Sequence, residues 1–114
     1  MKKTIIFICA CAALVINACS KNNDSNYTAD CSVIKTFSTD ASPVIQSYCA
    51  TNSGCHASGS SNGPGALTTY AQIYNARSAI RTSILNGSMP QNSSLTDAQK
   101  NAVICWIDAG ASNN

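Results

Sequence analysis

Eight consecutive residues, Cys49-Ala50-Thr51-Asn52-Ser53-Gly54-Cys55-His56, concentrate the reactive side chains of this chain. A histidine directly after a cysteine, with a second cysteine upstream, is the arrangement that fastens a c-type haem. Two thiols reach the two vinyl groups of one porphyrin edge, and the adjacent imidazole points at the iron from one face. The usual spacing puts two residues between the cysteines, and here there are five. The vinyl groups are a fixed distance apart, so the surplus residues must loop out. Asn52, Ser53 and Gly54 are types that bulge readily. Lengthening so short a closed loop costs roughly a few tenths of a kcal/mol in chain entropy.

Beyond Met1 the sequence has one methionine, Met89, and its one histidine is His56. Haem in electron carriers commonly takes His on one side of the iron and Met on the other, which raises the reduction potential. For that ligand pair the sequence offers only His56 and Met89. Pro90 biases Met89 towards an extended backbone that can present the thioether. The same residues allow other readings. Cys49 and Cys55 could form a disulfide with His56 incidental, giving a haem-free, disulfide-stabilised exported lipoprotein with a binding or structural role. Zinc held by Cys49, Cys55 and His56 is one ligand short of the usual four. Met89 alone could be a flexible core filler. A haem with a loosened Met89 would bind gases or act as a weak peroxidase.

The chain around this motif has 114 residues, a one-domain length. Met1-Lys2-Lys3 is a positive start, and Ile5 to Ile16 is an apolar run too short for a comfortable membrane span. Ile16-Asn17-Ala18-Cys19 resembles a bacterial lipobox. Residues 1–18 therefore read as a lipoprotein-type signal peptide, with Cys19 taking the lipid. The product would be exported and lipid-anchored at the cell envelope, on the periplasmic side or at the outer membrane. Residues 19–36 read as the lipidated cysteine and a flexible tether, because 20–30 is polar without apolar period. Removing Lys2 and Lys3 from the seven basic residues leaves five, against five Asp. A neutral chain carries no electrostatic footprint for nucleic acid. With no Glu and scattered Asp residues, the chain offers no cluster of acids and bases, and catalysis is not expected. Cys31, Cys49, Cys55 and Cys105 remain in the mature domain, in a compartment where unpaired thiols rarely persist.

The elements that must hold these residues read as helices. Ser42-Pro43 is a suitable helix start, and Val44, Ile45, Tyr48 and Cys49 follow on one face. Residues 50–66, with Gly63-Pro64-Gly65, have loop chemistry. A second helix is expected from about Thr69 to Leu85 on the stripe Ile73, Ala76, Ile80 and Ile84, with Asn86-Gly87 as its stop. Residues 88–94 form a second loop containing Met89. Thr96 and Gln99 make a capping-box pattern for a last helix, whose buried stripe is Ala102, Val103, Trp106 and Ile107 and which Gly110 ends. No segment alternates like a strand, so the fold class is all-α.

Taken in order, these pieces resemble the class I c-type cytochrome domain, in the small lipoprotein form of Bacteroidetes-type bacteria. Val44 to Cys49 is similar to the helix that leads into the haem cysteine, and Gly54-Cys55-His56 to the attachment end. Gly63-Pro64 with Leu67 resembles the loop beside the proximal histidine, and Gly87-Ser88-Met89-Pro90 the axial-methionine loop. Leu95 to Ala111 resembles the C-terminal helix that crosses the N-terminal one. The resemblance implies a cytochrome c-like bundle of three to four helices with long loops around one haem, over residues 37–114. It implies one covalent haem c, with Cys49 and Cys55 as thioether donors, His56 as proximal ligand and Met89 as distal ligand. It further implies that Pro64 offers its carbonyl to the free ring nitrogen of His56, and that redox proteins are the partners. With Cys49 and Cys55 so used, Cys31 and Cys105 remain, and a disulfide between them is expected. Trp106 is expected in the core at the helix crossing, and Arg77 and Arg81 on a solvated helix face.

Overall fold

The computed structural model describes residues 26–114; the signal segment 1–18, Cys19 and the first part of the tether lie outside the described residues. Three α-helices follow in order: α1 (Ser42–Tyr48), α2 (Tyr70–Leu85) and α3 (Asp97–Asp108). A π-helical turn, Phe37–Ala41, runs directly into α1. There is no strand among the described residues, so the all-α reading stands.

Helical winding begins earlier than Ser42-Pro43 suggested. Ser42 already has helical backbone angles, and the cap is Thr36. The Thr36 side chain accepts from the Thr39 amide, while Asp40 Oδ2 accepts from the Thr36 amide at 2.8 Å. This reciprocal pairing satisfies donors that a helix start otherwise leaves open. Helices α2 and α3 start with full capping boxes, Thr69 with Gln72 and Thr96 with Gln99. Gly87 (φ +70°) follows α2 and Gly110 (φ +105°) follows α3, in conformations glycine adopts without steric cost.

The core lies where α3 meets the start of the domain. Ile45, Ile73, Val103 and Ile104 are fully buried. Each such side chain contributes about 1.5–3 kcal/mol of transfer free energy. Trp106 is 1 % exposed and packs against Phe37 and Tyr70, and its Nε1 donates to the Ser112 carbonyl at 2.8 Å. It is thus the expected core residue. The C-terminal Asn114 accepts from the amides of Phe37 and Ser38, which ties the last residue to the first turn.

Packing extends further towards the N-terminus than residue 37. Tyr27 donates its hydroxyl to Asn101 Oδ1 at 2.6 Å, and the Asp30 amide donates to the same oxygen at 3.1 Å. Cys31 and Cys105 form a disulfide, S–S 2.02 Å. The segment from Tyr27 to Thr36 is therefore a strap fastened along α3, where the polar composition of 20–30 had suggested free tether.

Candidate functional site

The widened cysteine loop folds back on itself. The His56 amide donates to the Cys49 carbonyl at 3.0 Å, so the loop closes between its first cysteine and its histidine. Within it, Asn52 acts as the hub. Its Oδ1 accepts from the amides of Gly54 (2.9 Å) and Cys55 (3.1 Å), and its carbonyl accepts from Cys55 and Ala57. Asn62 Nδ2 donates to the Gly54 carbonyl at 2.7 Å, and the Ser60 hydroxyl donates to the Cys55 carbonyl. Side chains that mimic backbone turns in this way satisfy the amides of Gly54 and Cys55 and the Gly54 carbonyl within the bulge.

His56 is 7 % exposed. Its Nδ1 lies 2.9 Å from the Gly65 carbonyl, which fixes that nitrogen as the donor, so that in the neutral ring Nε2 carries the lone pair. Nε2 has no hydrogen-bond partner among the described residues. The acceptor is Gly65, not Pro64 as expected. The turn after Asn62 explains the offset. Gly63 and Gly65 both have positive φ, and the Gly65 amide donates to the Asn62 carbonyl at 2.9 Å. That tight turn brings the carbonyl one residue later to the imidazole, while Pro64 lines the cleft. A Cβ on Gly63 would lie 3.7 Å from His56 Cε1, so the chain passes directly beside the ring. The Leu67 amide, donating to the His56 carbonyl at 2.7 Å, closes the far end of this loop.

These residues open on a cleft of about 1000 Å³. One part of its lining comes from the end of α1 and the two loops just described, with Tyr48, Cys49, Cys55, His56 and Leu67. The other comes from α2, with Ile80 and Ile84, and from the loop after it, Met89 to Ser93. Met89 is half-buried, and its amide donates to the Ser83 carbonyl at 3.2 Å. The Met89–Pro90 peptide bond is cis. The volume is at the upper end of the range for small-molecule sites. The structure thus brings Cys49, Cys55, His56, Pro64 and Met89 to one cavity from four separate segments.

The donor set fits a porphyrin. Cys49 and Cys55 are both free thiols, where the haem-free reading would have them joined. Desolvation by burial, with a smaller contribution from the neighbouring Cys55, pushes the Cys49 thiol up to about 11 from 9.0. A thiol held neutral is a poor metal ligand. Among the described residues no three His, Cys, Asp or Glu side chains gather as a metal-holding group, so the zinc arrangement is not assembled. An imidazole with a free Nε2 and a thioether suit an iron already carried by four ring nitrogens.

The cleft lining contains no charged residue among those described. Arg77 lies over the Tyr74 ring and donates to the Tyr74 carbonyl, and Arg81 forms a two-pronged pair with Asp108 at 2.7 and 3.1 Å. Both arginines thus serve helix surfaces, Arg81 joining α2 to α3. Ser60 and Asn62 shape the site without any signal in the sequence, while Asn52 reads there only as a bulge former and Gly65 only as loop. A run of loop-forming residues gives no sign of which ones fold onto each other. In comparisons with protein families, curated proteins and solved structures, no match to this chain was found, so the reading of the cleft stands on its own residues and geometry.

Proposed function

We propose that the chain is a monohaem c-type cytochrome that moves single electrons, with Cys49 and Cys55 as thioether donors and His56 and Met89 as axial ligands. The observation that carries this reading is the convergence of two free thiols, an oriented imidazole and the one internal methionine on a single cleft. Haem, when bound, supplies the Fe(III)/Fe(II) couple. The chain's own residues set its conditions. The Gly65 carbonyl holds the His56 ring in one tautomer and strengthens Nε2 as a donor. Leu67, Ile80 and Ile84 exclude water from the floor of the cleft. The capped helix α2 leads into the loop of Met89, whose amide is tied back to the Ser83 carbonyl. Were His56 and Met89 both to hold the iron, no position would be left open for a substrate, which favours an electron carrier. The lipobox-like Ile16-Asn17-Ala18-Cys19 supports export and acylation at Cys19, placing the domain at the cell envelope with redox proteins as partners.

The test is expression of the whole chain in a host competent in cytochrome maturation. The expected product is red, gives a pyridine haemochrome spectrum, and retains haem in a denaturing gel. A colourless protein with the mass of the bare polypeptide overturns the reading and favours the haem-free lipoprotein.

A further inference from the structure

Two adjacent aliphatic side chains stand out of the surface of this protein. Val33 is 63 % and Ile34 83 % exposed, and Leu85, at 40 %, is the other large apolar residue so exposed among those described. Single exposed aliphatics are ordinary. These two are contiguous, and they sit at the tip of a loop braced on both sides. On one side are the Cys31–Cys105 disulfide and the Ser32 amide donating to Asp30 Oδ1 at 3.1 Å. On the other, the Thr36 amide donates to Asp40, and Lys35 pairs with the same carboxylate at 3.6 Å. The loop therefore presents Val33 and Ile34 in a fixed conformation. Both are β-branched and lose little further freedom on contact.

The length of chain before the strap says what they meet. Cys19 precedes Tyr27, the first strapped residue, by eight positions. Eight residues span at most about 28 Å fully extended. An acyl chain on Cys19 would thus hold the strap and its loop within that distance of the lipid.

We propose that Val33 and Ile34 insert into the lipid surface that carries the acylated Cys19, and so fix how the domain sits on the membrane. This rests on the acylation at Cys19. The charge pattern specifies the kind of surface. Lys35, Arg81 and Lys100 are each paired with an Asp, and the four basic and four acidic residues of the described chain cancel. The contact is therefore apolar and indifferent to anionic lipid.

The test uses Ile34→Trp in the full-length acylated chain, reconstituted into vesicles with and without bromine on the lipid acyl chains. Trp106, at 1 % exposure, is the internal control. The introduced indole is expected to lose about half its emission to bromine, at the depth of an interfacial contact, equally in zwitterionic and anionic vesicles. Protein that remains membrane-bound without quenching overturns the insertion and leaves the anchoring intact. A blue shift that grows with protein concentration and ignores bromine also overturns it, in favour of contact between copies. Recovery of the native chain in the soluble fraction removes the anchoring and the insertion together.

Discussion

The His56 amide donates to the Cys49 carbonyl at 3.0 Å, closing a loop with five residues between its cysteines. The surplus residues form a bulge that satisfies itself through Asn52. Deleting Asn52, Ser53 and Gly54 leaves Cys-x2-Cys-His, and this variant is expected to attach haem with both thioethers, read by its haemochrome spectrum and mass. Asn52→Ala keeps the length but loses two hydrogen bonds to exposed amides. It is expected to lower stability by about 1 kcal/mol, read as a denaturant midpoint.

Gly65 positions His56. At φ +82° a side chain is strained, and an added Cβ would lie 3.4 Å from the Ser60 carbonyl. Gly65→Ala is expected to cost about 1–2 kcal/mol in stability. Any shift of the Gly65 carbonyl weakens its bond to Nδ1 and, with haem bound as proposed, would make Nε2 a poorer donor to ferric iron. The reduction potential should therefore rise, as read by potentiometric titration. A stability loss with an unchanged potential would mean that the bond does not tune the ligand.

The parts of this arrangement differed in how clearly the sequence announced them. Helix α3 was legible because Thr96 and Gln99 mark its start and Val103 and Trp106 its inward face, and all four signals are local. The Thr69–Gln72 box is equally local and marks the start of α2 as clearly as the apolar stripe behind it. The π-helical turn was hidden because Ser42-Pro43 looks like a start while the real cap, Thr36, lies six residues upstream with Asp40 accepting from its amide. The strap was hidden because Tyr27 and Asn101 are 74 positions apart, and a polar run reads as tether until its partner is known. The Gly65 carbonyl was misplaced by one residue because a turn with two positive-φ glycines fixes which carbonyl faces the ring only in three dimensions.

The Cys31–Cys105 bridge closes a loop spanning 74 positions. Chain-entropy reasoning gives about 4 kcal/mol for a loop of that length. This is a large part of the 5–15 kcal/mol total typical of a domain. The double replacement C31A/C105A is expected to lose roughly this amount in chemical denaturation. It should also speed hydrogen exchange at the Asp30 amide, which the bridge holds on Asn101.

Cys49 gives the haem-free chain a distinctive alkaline weakness. Its thiol is raised from 9.0 to about 11 in the fold, chiefly by burial. Below about pH 9 the thiol is neutral in both folded and unfolded chains, and the stability linked to this site is fully present. Between about pH 9 and 11 the unfolded chain ionises and the folded one does not, so the fold weakens by about 2–3 kcal/mol. The apoprotein should show this fall in pH-dependent denaturation, and Cys49→Ser should abolish it. Were haem attached as proposed, the sulfur would be a thioether without a proton. The alkaline fall should then be absent, which reports the Cys49 bond separately from the Cys55 bond.

Met89 tests the other side of the site. It is half-buried in the loop after α2, tied by its amide to Ser83, and makes up part of the cleft lining. Replacing it by Ala removes a partly exposed side chain, so stability should fall by less than about 2 kcal/mol. If Met89 holds the iron as proposed, its effect there should be larger, because methionine ligation raises the potential of haem relative to harder ligands. Met89→Ala is expected to keep the covalent haem, lower the reduction potential, and bind carbon monoxide readily in the ferrous state, where the native protein resists it. If the native protein takes up carbon monoxide as readily as the variant, Met89 is not holding the iron. The cleft would then serve gas binding in place of simple electron transfer.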